Sequence, residues 1–219
     1  DVAVFRPIFR DGRLVAWAAC KGHQADIGGA QAGGYNPEAR EVWQEALRIT
    51  PIKVHERGQL RRDVWRMIFA NIRYAIVEED IKAQIGATRV GERGMHELFR
   101  RFDAREFDDC VGYLFDASER MVRREIAAIP DGVYRGESRA FYDGVTDGSS
   151  MRINLAVTVS GDEVTFDFTG SSPQTPGFVN APYSATASAL LLTFLMLINP
   201  DVPHNAGILR PIRIVNPEG

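Results

Sequence analysis

An α+β fold is predicted for this 219-residue chain, on three observations. The first residues read as a β-hairpin followed by a Gly-rich loop. The middle of the chain carries helical periodicity. Beyond Pro130 the pattern changes to strands separated by turns. A helical block followed by a meander, rather than alternating strand and helix units, points to α+β with an antiparallel β-rich C-terminal half. The expected organisation is a hairpin, loop and helical region over residues 1–129, then a β-rich region with one buried helix over 130–219.

The hairpin rests on two apolar runs, Val2–Phe9 and Leu14–Cys20, joined by Arg10-Asp11-Gly12-Arg13. Asp-Gly is a favoured two-residue hairpin connection because both central residues take positive φ. Residues 21–38 follow as a loop, with Gly22, Gly28, Gly29, Gly33 and Gly34. From Arg61 to about Ile85 the residues Val64, Met67, Ile68, Ile72, Ala75, Ile76 and Ile81 recur at helical spacing. A second helix is expected from about Asp108 to Ala128. Strands are expected at Gly132–Tyr142, Met151–Ser160 and Glu163–Thr169, the last with Val164, Phe166 and Phe168 alternating against polar residues. After a Gly/Pro/Ser-rich loop, the apolar stretch 185–198 is shorter than the ~20 residues that cross a bilayer, so a buried helix is expected there. Ile208–Val215 reads as a final strand.

Composition bounds the function. The chain is 45% hydrophobic and 25% charged, with a formal net charge of -3. That balance gives no reason to expect a nucleic-acid partner, and the pairs Arg61-Arg62, Arg100-Arg101 and Arg123-Arg124 suit solvated helix faces. Cys20 and Cys110 form no CxxC, in keeping with a reducing, cytoplasmic setting. The chain starts at Asp1 without a Met or an apolar leader, and both ends read as cut, so further sequence is expected on each side.

The chemistry-bearing residues gather near the start. Gly22-His23-Gln24-Ala25-Asp26-Ile27-Gly28-Gly29 places an imidazole and a carboxylate directly after a strand. Asp1 opens the paired strand, and hairpin partners lie about 5 Å apart at the backbone, so the open end brings Asp1 toward His23. Imidazole and carboxylate together suit Zn, Mn or Fe. A His beside an Asp is more often a plain hydrogen-bonded pair, and the residues alone leave both readings open.

Several blocks carry a resemblance. The run Gly22–Gly29 is similar to a GHxxDIGG signature. Residues 42–53 (VWQEALRITPIK), Asn71-Ile72-Arg73, Asp80–Gln84, Pro130-Asp131-Gly132-Val133-Tyr134, Phe166–Gln174 and Asn205-Ala206-Gly207 match further blocks in the same order. By these the chain resembles the hydantoinase B/oxoprolinase family, and the related α-type subunits of acetone and acetophenone carboxylases. Three positions depart from the usual pattern: Ala46 and Glu79 where Gly is usual, and Thr50 where Pro is usual.

The resemblance implies a metal site. In the family an HxPD element precedes the first strand, and its Asp falls where Asp1 stands. Carried over, Asp1 and His23 would be ligands of a divalent Mn, Zn or Fe ion, with Asp26 a nearby or substitute ligand, and the remaining His would lie outside this chain. Candidate substrate-binding residues are Glu45, Arg48, Asp80 and Gln84. Against these stand ordinary alternatives: a helix salt bridge for Glu45 with Arg48, and an exposed i,i+4 helix pair for Asp80 with Gln84. The loop Gly170–Gln174 could cradle an anion but more simply connects elements. Asn180 and Asn205 suit turn caps.

No phosphate-binding motif of the GxxxxGK[ST] type is present, and no side chain can be assigned as a nucleophile. The resemblance therefore implies that a partner, a hydantoinase A-type subunit or domain, uses ATP to activate a small carbonyl substrate. The present part would receive it for opening of a cyclic amide. The alternatives are the carboxylase relative on the same scaffold and a non-catalytic scaffold subunit.

Overall fold

In the computed structural model, which describes residues 1–218, the chain opens with the expected hairpin. Strand β1 (Val2–Arg10) pairs antiparallel with β2 (Arg13–Gly22), from Arg10↔Arg13 at the turn to Val2↔Gly22 at the open end. Asp11 and Gly12 have φ of 50° and 77°, the two positive values a tight Asp-Gly connection needs. A one-residue irregularity at Ile8/Phe9 adjusts the register. After a short helix α1 (Val42–Glu45) come a small ribbon, β3 (His55–Glu56) with β4 (Gln59–Leu60), and helices α2 (Arg62–Phe69) and α3 (Ile76–Arg101).

The single helix expected over 61–85 is thus two helices. The apolar period runs across the break, but the backbone donors are diverted. The Asn71 side chain donates to Met67 O at 2.7 Å, and the Arg73 N–H goes to the Asp26 carboxylate. Helix α3 also continues well past Ile85. Its second half lies along both hairpin strands and includes polar partners: Arg6 donates to Thr88 Oγ1 and Glu92, Arg10 donates to Phe102 O at the helix end, and Gly91 faces Ala18 of β2. The core of this part gathers Trp65, Val77, Ile81 and Ile85 with Val2 and Val4 of the hairpin.

Two compact units divide the chain, Asp1–Ala104 and Arg105–Gly219, whereas the change in sequence character lies at Pro130. The second unit holds helix α4 (Ala104–Ala127, its first residue at the boundary), strands β5 (Gly132–Phe141), β6 (Ser150–Ser160) and β7 (Glu163–Asp167), helix α5 (Tyr183–Leu197) and strand β8 (Ile212–Val215). The sheet order is β5-β6-β7-β8. The meander is antiparallel as expected, but β8 pairs parallel with β7, since α5 carries the chain back across. Residues 206–209 form a 3-10 turn rather than strand, capped by Asn205 accepting from Gly207 N–H at 2.9 Å, and Pro211 brings no N–H to a ladder.

The apolar helix is present but is not buried. Among α5 residues only Phe194 is fully buried, while Leu192, Met196 and Leu197 are 64%, 79% and 80% exposed. The sequence is apolar all round, the pattern of a helix covered on every side, yet one side alone packs on the sheet. There Phe194 joins Val122 and Ile126 of α4 and Val159, Val164 and Phe166 of the strands. No described helix is long and apolar enough to cross a membrane.

Candidate functional site

The hairpin register determines the geometry of the first site. With Val2 opposite Gly22, residues 1 and 23 stand next to each other just beyond the last pair. Asp1 Oδ1 lies 3.1 Å from His23 Nδ1, and Asp1 Oδ2 lies 3.0 Å from Lys21 Nζ. The His23 side chain is 80% exposed. An outward-facing imidazole therefore shares a carboxylate with a lysine, which sequence reasoning did not single out. Two donors about 3 Å apart fit one ion at bonds of ~2.0–2.2 Å. Lys21 pairs with the other oxygen, so Oδ1 remains available to an ion.

Asp26 does not join this pair. Its carboxylate is completely buried. The Arg73 backbone N–H donates to Oδ2 at 2.7 Å, Arg73 Nη1 donates to Oδ1 at 3.0 Å, and Arg73 Nη2 donates to Gly29 O at 2.6 Å. Burial pushes the Asp26 carboxyl up. The Arg73 amide, its guanidinium and charge, and the Gly33 amide together outweigh burial and hold it below the ordinary range. Among the described residues, no group of three or more His, Cys, Asp or Glu is placed to hold a metal. Arg73 was legible only as part of the Asn71-Ile72-Arg73 block; nothing in its spacing ties it to Asp26.

The loop after Asp26 runs against the segment that follows α1. Ile27 O accepts from Leu47 N–H at 2.8 Å, and Ala30 N–H donates to Gln44 O at 2.8 Å. Gly29 has φ of 88°, and a Cβ there would stand 2.6 Å from Glu45 O and 2.7 Å from Gln44 O. Glycine is required by both the dihedral and the backbone-to-backbone approach.

The expected substrate residues separate. Helix α1 ends at Glu45, so Arg48 lies outside it, and the Arg48 guanidinium sits 5.8 Å from the Trp43 ring centre instead of pairing with Glu45. Glu45, Arg48 and Asp80 are exposed. Gln84 is buried and its amide is committed: it donates to Val2 O at 3.1 Å and accepts from Gln24 Nε2 at 3.2 Å. Asp80 and Gln84 thus face different surroundings despite their i,i+4 spacing.

The three departures from the family pattern are accommodated. Ala46 has φ of -166°, extended backbone open to any residue. Glu79 lies in the first turn of α3, where acid is favoured, and pairs with Lys82 at 2.8 Å. Thr50 is exposed in the loop. In the second unit the loop Gly170–Gln174 is stitched to β6: Ser171 and Ser172 side chains accept from Asn154 and Arg152 N–H, and Arg152 and Asn154 donate to Gly170 O. Asn180 bridges Thr175 and Gly177 across its turn.

A family model described as hydantoinase B/oxoprolinase matches residues 1–219. The chain belongs to the hydantoinase B/oxoprolinase family. Along its whole length this family member is 36% identical to the caprolactamase β-subunit of Pseudomonas jessenii, of which it spans 38%. It is 33% identical to the B-type subunit of the putative D-/L-hydantoinase of Pseudomonas sp. (strain NS671), spanning 39% of that protein. It is 28% identical to 5-oxoprolinase 1 of Arabidopsis thaliana, spanning 19%. The solved ATP-dependent caprolactamase from Pseudomonas jessenii shares its fold with a TM-score of 0.89 at 36% identity, over 98% of this chain and 37% of that one. A nucleotide-free acetone carboxylase structure gives a TM-score of 0.87 at 19% identity, over 96% of this chain and 29% of that one, a likeness of fold.

Proposed function

We propose that this chain is part of the substrate-receiving subunit or domain of a cytoplasmic, ATP-dependent cyclic-amide hydrolase. Its ATP chemistry would reside in a hydantoinase A-type partner. The observation that carries the reading is the Asp1–His23 pair, 3.1 Å apart at the open end of the hairpin. His23 lies in the block that most resembles the family signature, and the relatives of higher identity are named for caprolactam and hydantoin chemistry. Asp1 and His23 would hold a divalent Mn, Zn or Fe ion, and other groups would complete its shell. Such an ion supplies Lewis acidity toward a carbonyl or phosphoryl oxygen.

The chain's own residues have three tasks in this reading. His23 presents its imidazole to solvent. Without the ion, Asp1 holds that ring through Nδ1, a contact that shared coordination would replace. Asp26 anchors the motif loop through Arg73 and stands outside the ligand set. Glu45, Arg48 and Asp80 remain exposed positions from which a small substrate can be reached.

The test is reconstitution of the full-length protein that contains this chain with the ATP-using partner and a set of cyclic amides. Expected is ATP-dependent ring opening that His23→Ala abolishes, with no ATP hydrolysis by the purified chain alone. Ring opening that survives His23→Ala would remove the imidazole from the mechanism. ATP hydrolysis by the pure chain, lost on mutation within it, would move the ATP chemistry from the partner to this chain. The carboxylase alternative is separated by the same mixture, through ATP-dependent fixation of bicarbonate into a ketone. A scaffold subunit would raise partner stability with no effect of His23→Ala.

A further inference from the structure

Behind the exposed Asp1–His23 pair lies a chain of two buried amides. Gln84 of α3 donates to Val2 O and accepts from Gln24 Nε2, and Gln24 Nε2 also donates to Gly22 O at 3.3 Å. Val2 and Gly22 are the last paired residues of the hairpin, and each is the immediate neighbour of one member of the pair. Gln24 and Gln84 are 4% and 7% exposed. Gly22 has no side chain where one would collide with this chain: a Cβ there would stand 2.8 Å from Gln84 Nε2. Gln24 Oε1 is buried with no partner among the described residues, an unmet hydrogen bond that packing alone does not call for. An apolar pair would fill the same space without it.

We propose that Gln84, acting through Gln24, is a positioning residue that pins both backbone strands of the hairpin end to α3 and so sets the spacing of Asp1 and His23. The proposal rests on the metal reading of that pair for its functional meaning. The geometry it explains exists without a metal. Outer groups that orient ligands typically change metal affinity by about 10- to 100-fold when removed. Here the lever is the backbone on either side of the pair rather than the imidazole itself.

The experiment uses the full-length protein that contains this chain, with Mn2+ alone as probe and affinity read by electron paramagnetic resonance. It also reads the nuclear Overhauser contact between the His23 ring and the Asp1 methylene in metal-free protein. Gln84→Met keeps the volume and loses both hydrogen bonds. Gly22→Ala displaces the Gln84 amide by a separate route and serves if Gln84→Met folds poorly. Ile85→Val, the next buried position of the helix, controls for simple loss of stability. Expected is at least about tenfold weaker Mn2+ binding and loss of the His23–Asp1 contact in Gln84→Met and Gly22→Ala, with Ile85→Val changing neither. If His23→Ala loses Mn2+ while both Gln84→Met and Gly22→Ala bind it normally and keep the contact, the positioning role is overturned and the metal reading stands. If His23→Ala binds Mn2+ as well as the unsubstituted protein, the metal reading fails. The metal-free contact alone then decides: its persistence in Gln84→Met overturns the role, and its loss upholds it.

Discussion

Replacing Arg73 by Met tests whether the motif loop is held by a buried ion pair. Arg73 makes two bonds to Asp26 and one to Gly29 O, and the substitution leaves only the backbone N–H at 2.7 Å and the contribution from Gly33. A hydrogen bond to a charged group contributes about 1.5–3 kcal/mol. The guanidinium is 41% exposed, which screens its charge and argues for the lower part of that range. The Asp26 carboxylate is fully buried, and losing its partner adds a desolvation penalty. The two corrections oppose each other, giving a loss of about 2 kcal/mol. For a chain of this size that lowers Tm by roughly 4–8 °C.

The pH dependence supplies a second, independent sign. In the unsubstituted protein the Asp26 carboxyl lies below its ordinary value of 3.8. Its contribution is fully present above that value and is lost as pH falls through the lower, folded-state value. In Arg73→Met the guanidinium's bond and charge are gone while burial stays, so the folded-state value rises and the advantage of the charged form shrinks. The difference in Tm between the two proteins should therefore be largest near pH 7 and shrink toward acid. Calorimetry over a pH series reads both quantities. A Tm difference under about 1 °C at pH 7, or one that stays constant into acid, would refute the account. A cycle with Asp26→Asn should show coupling of at least about 0.5 kcal/mol, as residues in one network do.

Gly29→Ala should destabilise the first unit by at least about 1–3 kcal/mol, because its Cβ meets two backbone oxygens and its φ is positive; thermal melts check this, and a Tm within about 1 °C of the parent would show that the loop yields. In the second unit, Phe194→Ala should cost about 3–5 kcal/mol, losing a buried ring set edge-on to Phe166 at 5.8 Å, while Leu197→Ala, at an 80% exposed position of the same helix, should stay within about 0.5 kcal/mol. Equal effects of the two on denaturant unfolding would contradict the one-sided packing of α5.

What the sequence made legible was set by the kind of contact each segment makes. The hairpin was readable because Asp11-Gly12 is a local turn signal that needs no tertiary partner. Strand β7 was readable because Val164 and Phe166 alternate against polar residues, the mark of a half-buried strand. Helix α3 beyond Ile85 was not, since it meets the hairpin partly through Arg6 and Arg10 and through the small Gly91–Ala18 contact, which periodicity does not report. The break at 70–75 was missed for a related reason: Arg73 N–H serves a carboxylate far away in sequence, and periodicity is blind to that. For α5 the composition was read correctly and the burial was not. Apolar residues on every side state what a helix can be covered by, but Leu192, Met196 and Leu197 are open in this chain. At the site, the turn and strand lengths were enough to bring Asp1 to His23. The destinations of Asp26 and Gln84 could not be had from spacing, because each is decided by one hydrogen-bonding partner on another element.

Those two destinations explain why a motif with one imidazole needs so many other residues. Going along residues 22–29, His23 faces solvent, whereas Gln24, Asp26, Ile27 and Gly28 are buried. Each anchor has a different source. Gln24 is held by Gln84 of α3, Asp26 by Arg73 of the α2–α3 connection, and the Ile27 carbonyl by Leu47 after α1. A loop tied at three successive points to three elements has little freedom left, so ordering on ligand binding costs little. The exposed imidazole is consequently preorganised although it makes only one close contact of its own, the one to Asp1. A carboxylate at position 26 serves such a site better as an anchor than as a ligand: buried and paired, it fixes the backbone three residues from the imidazole, whereas turned outward it would leave the Arg73 guanidinium and two backbone donors to find other partners.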